Sequence, residues 1–272
     1  MTVYKREVKT IAYSTEWAGR KMSFETWKLA PQADSSIRFQ YGDNVILNTV
    51  CMSKDPNLDS DFLPLLIDFR ESYSAAGRIA WAVYRRREWK PSENAILYCR
   101  MADRALRPMF PKWLVNDVVI SLTPMALDHE LDLDVMTIIW SSVAIMAAWI
   151  PFDWPVWAVQ LWYKDGEFIV NPTKTQIEEW ILNLLVAGKR WSINMIECGS
   201  KEIPEDLLKE AFVVAQREID KSCDIQLEFL KQLEIPTPEV YYNKPSQIIE
   251  DAIAKVITQD RLEAMTWHTK VP

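Results

Sequence analysis

Hydrophobic and polar residues alternate on both sides of Gly42 and Asp43, within the stretch SIRFQYGDNVILNTVCMSK. A period of two residues is typical of β-strands, and a Gly-Asp pair suits a tight turn, so this stretch predicts a β-hairpin. The apolar runs FLPLLIDF and NDVVISLTPMAL predict two further strands. The segment VWAVQLWYKDGEFIVNPT predicts a second hairpin around Asp165 and Gly166, and LNLLVAG with SINMIECG predicts one more strand pair.

Three segments have the period of a helix. Pro91 and Glu93 open ENAILYCRMADRAL, because proline and a carboxylate both suit the first helical turn. Asp132 or Asp134 caps the mostly apolar segment DLDVMTIIWSSVAIMAA. After Pro204, apolar residues recur every three to four positions, which predicts a long amphipathic helix: Leu207, Leu208, Ala211, Phe212, Ala215, Ile219 and Cys223. Together these elements predict an α+β fold, a mixed sheet with helices packed against it.

The end of the chain differs from the rest. Residues 234–246 contain three prolines and no helical period, which predicts a linker. The following segment QIIEDAIAKVITQDRLEAM is again helical, but a lone short helix cannot bury its apolar face. We therefore predict a first domain over residues 1–236, followed over 237–272 by the linker and the beginning of a truncated, all-α domain.

Composition limits the possible functions. With 272 residues, 49% of them hydrophobic, the chain can bury a core and is predicted to be globular. The net charge of −7 gives no overall attraction to nucleic acid or to an anionic membrane, so contact with a polyanion requires a local basic patch. No signal peptide or membrane-spanning run is recognisable, which predicts a soluble, intracellular protein. The four cysteines lack CxxC spacing, which predicts reduced thiols and disfavours a zinc site: Cys51, Cys99, Cys198 and Cys223.

The candidate chemistry is a basic region, YRRREWKPSENAILYCRMADRALRP. Four of its cations lie within six residues of a predicted loop: Arg85, Arg86, Arg87 and Lys90. Three more share one face of the following helix, at the spacing i, i+4, i+7: Arg100, Arg104 and Arg107. Guanidinium groups suit phosphate oxygens, so this face is a candidate phosphate-binding surface. The alternative is a solvated helix in which Asp103 is an internal salt-bridge partner.

The acidic run DHELDLD offers a second candidate, comprising Asp128, Glu130, Asp132 and Asp134. These carboxylates could ligate a metal, but capping of the apolar helix that follows is the simpler interpretation. His129 is predicted to be a surface residue. The sequence contains no phosphate loop, no zinc motif and no convincing Ser/His/Asp or Cys/His arrangement. From the residues alone, we predict a phosphate-attracting patch and no catalytic residues.

Eight motifs resemble, in order and in one register, the first RNase PH-like domain of bacterial polynucleotide phosphorylases (polyribonucleotide nucleotidyltransferases). They are EWAGRKMSFETWKLAPQADSS, YGDNVIL, DFLPLLIDFRESYSAAGRI, RREWKPSE, RMADRALRPMFP, IPFDWP, FIVNPT and LLVAGKRWSINMIE. The resemblance runs from about residue 10 to residue 235, and the tail is similar to the start of the helical domain that joins the two halves of those enzymes.

The resemblance implies a fold of the ribosomal protein S5 domain 2-like βαβ type. It also implies a phosphorolytic 3′→5′ exoribonuclease, in which inorganic phosphate releases nucleoside diphosphates from RNA with help from Mg²⁺. Three two-halved subunits would form a ring that threads single-stranded RNA through a central channel. In the family, the catalytic carboxylates, the phosphate-binding serine and the metal ligands belong to the second RNase PH-like domain, which this sequence lacks, as it lacks the KH and S1 domains.

The family's aromatic and arginine loop at the channel constriction falls on Val83, Tyr84, Arg85 and Arg86 of this sequence. Its RLIDRPIRP element falls on the helix that carries Arg100, Asp103, Arg104 and Arg107. This sequence departs from the family by one inserted residue in YRRRE and by Val83 in place of an aromatic residue, so the resemblance leaves open which two of the arginines face the channel. In the resulting interpretation, cations hold the RNA backbone while Tyr84 stacks on bases.

Tryptophan and glycine have unusual frequencies, with 13 tryptophans and only 6 glycines. Nine of the tryptophans fall where the family typically has glycine: Trp27, Trp81, Trp89, Trp113, Trp140, Trp149, Trp154, Trp157 and Trp162. Trp17 falls where relatives can carry tryptophan. Our hypothesis is that the gene uses UGA for glycine and was translated with a table that reads UGA as tryptophan. The alternative is that the tryptophans are real and serve as stacking platforms or core residues.

Three functional interpretations follow. The first is the N-terminal half of a polynucleotide phosphorylase, which threads RNA and builds a homotrimeric ring in the cytoplasm while the active site lies in the other half. The second is a stand-alone, non-catalytic RNA-binding or scaffold subunit. The third, an RNase PH-type enzyme active by itself, is disfavoured because the motifs match the first domain of the family and not the second.

Overall fold

The computed structural model describes residues 10–79, 91–128, 130–164, 166–173, 181–233 and 240–265. In these ranges the chain forms two β-sheets and five α-helices. The strands are β1 (Ala12–Trp17), β2 (Arg20–Thr26), β3 (Ser35–Tyr41), β4 (Asn44–Met52), β5 (Leu65–Phe69), β6 (Val118–Ala126), β7 (Trp157–Lys164), β8 (Glu167–Val170), β9 (Leu182–Lys189) and β10 (Ser192–Ser200). The helices are α1 (Glu93–Leu106), α2 (Leu133–Ala147), α3 (Glu205–Lys231), α4 (Gln247–Val256) and α5 (Gln259–Met265).

The first sheet has six strands in the order β1-β2-β3-β4-β6-β5. All neighbours are antiparallel except β5 and β6, which are parallel. This is the predicted mixed sheet, and the hairpin predicted around Gly42 is confirmed, since Tyr41 pairs with Asn44. The sequence interpretation missed the hairpin of β1 and β2. Its strands are short, and charged or hydroxyl-bearing residues occupy many of their positions, so the hydrophobic alternation is weak there.

The second sheet has four strands in the order β10-β9-β7-β8, and all its pairs are antiparallel. It contains the two predicted strand pairs. Two-residue turns connect β7 to β8 and β9 to β10, since Lys164 pairs with Glu167 and Lys189 with Ser192. The α+β prediction is therefore confirmed, with a separate antiparallel sheet beside the mixed one.

Helix α2 lies between the two sheets, in contact with β3, β4 and β6 of the first sheet and with β7 of the second. This position explains why the helix is apolar on nearly all sides, because each face meets protein. Helix α3 packs on β7 and β9, as its amphipathic pattern predicts. Between the helices, Ser142 accepts a hydrogen bond from the Val156 N–H and donates one to Gln226, so these buried polar groups are paired.

The end of the chain is more exposed. Residues 240–246 run past the first domain, where Tyr242 forms a β-bridge with Leu114. Helices α4 and α5 follow, and no residue of α4 is buried. Its apolar side chains include Ile248, which is 81% exposed. Within the described ranges, no helix combines the length and the hydropathy that crossing a membrane requires.

Several turns need a left-handed backbone. Gly19, Gly42 and Gly166 have φ angles of 72°, 57° and 89°, and each lies in a turn between adjacent strands. Glycine suits these positions because it has no Cβ to clash with the neighbouring carbonyl. In the turn between β9 and β10, the residue with a positive φ, 63°, is Trp191.

Three more tryptophans also have left-handed backbones: Trp27 at φ 48°, Trp113 at 72° and Trp149 at 62°. A bulky residue is a rare occupant of this region. Elsewhere among the described residues, buried indole N–H groups lack a hydrogen-bond partner at Trp140, Trp154 and Trp157, as well as at Trp27. Trp17 differs, since it lies in β1 and its buried ring packs against that of Tyr41 at 5.5 Å.

Candidate nucleic-acid interface

The predicted basic loop joins the first sheet to helix α1. Its residues Tyr84, Arg85, Arg86, Arg87 and Lys90 lie outside the described residues, so their role as RNA contacts stays a prediction. The chain is described up to residue 79 and again from residue 91. The geometry of the region is therefore given by the two flanks of the loop and by α1.

Helix α1 begins at Glu93, as predicted, and Ser92 is its N-cap. The Ser92 hydroxyl accepts a hydrogen bond from the Ala95 N–H at 3.1 Å, which satisfies one of the unpaired donors of the first turn. Ser92 itself is held by Glu71, which lies two residues beyond β5. The Glu71 carboxylate accepts one hydrogen bond from the Ser92 N–H at 2.9 Å and another from the hydroxyl at 2.8 Å.

The three arginines predicted on one helix face do not share one environment: Arg100 and Arg104 lie in α1, and Arg107 is its C-cap. Arg100 is exposed. Arg104 donates to the Glu197 carboxylate at 2.8 Å and to the Ile196 carbonyl at 3.1 Å, both on β10. The Arg104–Glu197 ion pair is about half exposed on each side, so it contributes little to stability. Arg104 can therefore exchange this partner for another anion at low cost.

Arg107 is held more firmly. Its guanidinium binds Asp103 through two hydrogen bonds, of 3.0 Å from Nε and 2.7 Å from Nη2. It also donates to the carbonyls of Leu63 at 2.8 Å and Leu65 at 3.4 Å, at the start of β5. These contacts match the alternative in which Asp103 is an internal partner, and they give Arg107 a structural role in fastening α1 to the sheet. Its part in RNA binding remains a prediction.

The acidic run lies at the start of α2. Asp128 is a turn residue whose carboxylate accepts hydrogen bonds from the N–H groups of Glu130 and Leu131, at 3.1 and 3.2 Å. Asp132 occupies the N-cap position of α2 without a side-chain cap hydrogen bond, and Asp134 lies in the first turn of the helix. The run therefore complements the positive end of the helix dipole. The described residues contain no group of three or more side chains suited to holding a metal ion. His129 lies outside the described residues.

The flank of the basic loop carries negative charge. Burial, together with the carboxylates of Asp134, Asp132 and Glu71, raises the pKa of Tyr98, on α1, to about 12. The ring of Tyr98 packs edge-on against Phe69 of β5 at 5.5 Å. An attraction for phosphate in this region therefore has to come from the basic residues themselves, because the described flank carries acidic side chains.

The cysteines are free thiols, as predicted. Burial raises the pKa of Cys223 to about 12, and burial also raises the pKa of Cys99 and of Cys198. A raised pKa keeps the thiol protonated at neutral pH, and a protonated thiol is a poor nucleophile. These three side chains therefore do not carry the character of catalytic thiolates.

Two family models match the chain in succession. The first, described as the 3′ exoribonuclease family, domain 1, matches residues 18–151, and the second, domain 2 of the same family, matches residues 155–218. Their boundary falls in the loop between α2 and β7, so the first model covers most of the mixed sheet with α1 and α2, and the second covers the antiparallel sheet with part of α3.

Curated relatives agree with these matches. The polyribonucleotide nucleotidyltransferase of Halalkalibacterium halodurans is 34% identical over 253 residues, which is 93% of this chain and 36% of the relative. The enzyme of that name from a Roseiflexus species is 36% identical over 98% of this chain and 35% of its own length. That of Lysinibacillus sphaericus is 40% identical over 81% of this chain and 31% of its own length.

The chain thus spans about a third of the length of the curated relatives it matches. The two family models cover most of the mixed sheet, the whole antiparallel sheet, and all of α1 and α2. By these two models and by the relatives that carry them, this chain belongs to the 3′ exoribonuclease family with RNase PH domains.

Proposed function

We propose that this chain is the N-terminal part of a phosphorolytic 3′→5′ exoribonuclease that degrades single-stranded RNA to nucleoside diphosphates. The observation that carries the proposal is the match to polyribonucleotide nucleotidyltransferases along 93–98% of the chain and about a third of their length. Such an enzyme would act in mRNA turnover in the cytoplasm. Inorganic phosphate would be its second substrate, and Mg²⁺ would assist the reaction.

In this proposal the chain binds RNA and helps to build a homotrimeric ring, while catalysis belongs to the other part of the protein. The division rests on the resemblance, which assigns the catalytic carboxylates and the metal ligands to the second RNase PH-like domain. The proposed domain boundary near residue 236 is supported by the end of α3 at Lys231, five residues earlier.

A phosphorolysis assay tests this division of labour. The chain is incubated with a single-stranded RNA, phosphate and Mg²⁺, and nucleoside diphosphates are measured. We expect no release from this chain alone and release from the full-length protein. Phosphate-dependent release by the chain alone would contradict the placement of the active site and would favour an independently active RNase PH-type enzyme. If the gene ends after Pro272, the stand-alone RNA-binding subunit replaces the enzyme fragment.

The proposed RNA contacts are Tyr84, Arg85, Arg86, Arg87, Lys90, Arg100, Arg104 and Arg107. The contacts of the three helix arginines show how free each guanidinium is to bind a phosphate. Arg107 is engaged by Asp103 and two carbonyls, Arg104 by an exposed ion pair, and Arg100 is exposed. The loop residues and Arg100 are therefore proposed as the main contacts to the RNA backbone, and Tyr84 as a stacking platform.

The double replacement of Arg85 and Arg86 with alanine tests the loop. RNA affinity should fall for all sequences alike, and the dependence of affinity on salt should become shallower, because fewer counterions are released. The matched control replaces two exposed lysines of α3, Lys209 and Lys221, which removes the same charge. Equal affinities for both double variants would show that only net charge matters and would contradict the loop assignment.

We also propose that UGA is read as glycine in the source of this protein, at the nine tryptophans named above. The backbone supports three of these positions directly, because Trp27, Trp113 and Trp149 have φ angles that favour glycine. A buried N–H without a partner disfavours tryptophan at Trp140, Trp154 and Trp157. Trp81 and Trp89 lie outside the described residues. The turn residue Trp191 joins the set as a position that the sequence interpretation missed.

Codons and mass test the recoding. We expect UGA at these positions in the gene, and an intact mass of the protein from its native source that fits glycine at each. UGG codons would contradict the proposal, and so would a mass that fits tryptophan. Trp17 serves as the internal control, because it lies in the extended strand β1 and its buried ring packs against that of Tyr41, so its codon should be UGG.

A further inference from the structure

Glu71 and Ser92 form a contact that links the end of β5 to the start of α1, across 20 intervening residues. Both oxygens of the Glu71 carboxylate are used: Oε2 accepts from the Ser92 N–H at 2.9 Å, and Oε1 accepts from the Ser92 hydroxyl at 2.8 Å. The hydroxyl oxygen also accepts from the Ala95 N–H at 3.1 Å. We call this pair of hydrogen bonds the Glu71–Ser92 clasp.

Both partners of the clasp are attached to rigid elements. On the sheet side, the Arg70 N–H donates to the Leu122 carbonyl of β6 at 2.8 Å, which fixes the residue next to Glu71. On the helix side, Ser92 is the N-cap of α1, and the far end of that helix is fastened to the start of β5 by Arg107. The clasp therefore fastens the start of α1 to the end of β5, as Arg107 fastens the end of α1 to the start of β5.

The chain between the two partners contains the predicted RNA-binding segment, which ends at Lys90, two residues before Ser92. Its first part is also tied to the sheet, since the Leu127 N–H donates to the Ala75 carbonyl at 2.8 Å. We propose that Glu71 is a positioning residue for RNA binding, which fixes where the basic segment leaves and rejoins the domain. This inference rests on the proposed RNA-binding function of residues 84–90.

Electrostatics makes the inference testable, because charge and position predict opposite results. Glu71 is an anion beside a segment proposed to bind a polyanion, so by charge alone it repels RNA. If Glu71 acted only through its charge, its removal would strengthen RNA binding. If the clasp positions the segment, its removal leaves the cations free to leave their binding arrangement, and RNA binding weakens.

The test compares Glu71→Gln with Glu93→Gln by measuring the affinity of the chain for a fluorescent single-stranded oligoadenylate. Glutamine at position 71 keeps the size of the side chain, but its NH2 group cannot accept the hydrogen bond that one carboxylate oxygen accepts, and the charge that strengthens both bonds is lost. Glu93 is exposed and adjacent to Ser92, so its replacement removes the same charge without breaking the clasp. We expect affinity to fall about five- to tenfold in Glu71→Gln and to stay equal or rise in Glu93→Gln.

Two serine variants separate positioning from stability. Ser92→Ala removes one hydrogen bond of the clasp together with the helix cap, and we expect about threefold weaker binding. Ser92→Thr keeps the hydroxyl and should bind like the parent chain. Affinities are measured at a temperature well below the thermal unfolding midpoint of each variant. Nearly all of the protein is then folded, so a loss of stability alone leaves the affinity unchanged.

The outcomes are distinct. Folded Glu71→Gln protein that binds RNA as tightly as the parent, or more tightly, would overturn the positioning role, and so would weakening of the same size in Glu93→Gln. The double replacement of Arg85 and Arg86 in the same assay tests the function on which the inference rests. If that variant binds normally, the proposed RNA contact fails, whereas weakened binding there with normal binding in Glu71→Gln rejects the clasp alone.

Discussion

Two regions differ in how well their side chains suit the backbone. One is the junction of β5 with α1, formed by the contacts of Arg107 and of Glu71, and the other is the hairpin turn at residues 190–191. At the junction, Arg107 binds Asp103 and two carbonyls, and Glu71 holds Ser92 through both carboxylate oxygens. In the turn, Trp191 has a φ of 63° and its side chain is 79% exposed. The comparison shows that side chains and backbone fit each other at the first site, whereas a bulky residue occupies a left-handed backbone position at Trp191.

A second turn in the same sheet sharpens the point. The turn between β7 and β8 also connects its strands through two residues, and the second of them is Gly166, at φ 89°. Trp191 is the second residue of the turn between β9 and β10. Antiparallel strands joined so tightly need a left-handed residue here, and glycine supplies it without steric cost.

The largest expected effect comes from the two left-handed tryptophans that are most exposed. Trp113 is 44% exposed and Trp191 is 79% exposed, so glycine at both positions removes backbone strain and loses little apolar burial. The chain with Trp113→Gly and Trp191→Gly should gain about 2–4 kcal/mol in the free energy of unfolding, at about 1–2 kcal/mol for each left-handed position. Urea denaturation measures the gain, and a loss of stability would contradict the glycine assignment.

The next effect concerns the well-matched junction. Arg107→Ala removes four hydrogen bonds of a charged group, and we expect the free energy of unfolding to fall by about 2–3 kcal/mol. Arg100→Ala on the same helix is the control and should change stability by less than about 0.5 kcal/mol, because Arg100 is exposed. Equal effects of the two replacements would show that Arg107 does not fasten α1 to β5.

A smaller effect tests the two turns against each other. Gly166→Trp should lower the free energy of unfolding by about 1–2 kcal/mol, and Trp191→Gly should raise it by a similar amount. The same urea experiment compares them with Gly166→Ala, which separates the cost of the left-handed backbone from that of the large ring. If Gly166→Trp leaves the free energy of unfolding unchanged, such a turn tolerates tryptophan. The positive φ of Trp191 would then no longer support glycine at residue 191.

The smallest effect depends on pH and lies in the junction. The pKa of Tyr98 is about 12 in the folded chain and 10.0 for an unperturbed tyrosine, so the unfolded chain ionises first as the pH rises. The stability that depends on neutral Tyr98 is complete below pH 10 and is lost between pH 10 and 12. Because the side chain is partly exposed, we expect a loss of about 1 kcal/mol.

The matched variant is Tyr98→Phe, which keeps the aromatic ring against Phe69 and removes the ionisable hydroxyl. Its stability should fall less than that of the parent chain over the same pH range. Parallel curves for the two proteins would contradict the raised pKa of Tyr98.

Much of the fold was predictable because local patterns and tertiary contacts agree. The hairpin at Gly42, the bounds of α1 and the amphipathic helix α3 all follow from periodicity and turn residues. The pattern for β1 and β2 was weak, since Thr15, Glu16 and Ser23 interrupt the apolar alternation, and only pairing with β3 places that hairpin in the sheet. The sequence also predicted a mixed sheet but not that the later strands form a second, antiparallel one, because periodicity does not specify which strands pair.

The candidate interface divides in the same way. The sequence alone determined the positions of the cations and their helical spacing, because both are properties of residue order. Only the tertiary structure decided that Arg104 binds Glu197 of β10, that Arg107 binds the chain at the start of β5, and that Glu71 binds Ser92. These partners lie 21–93 residues apart in the chain. The same holds for tryptophan: its abundance is a fact of the sequence, whereas the left-handed backbone at Trp191 is imposed by the pairing of β9 with β10.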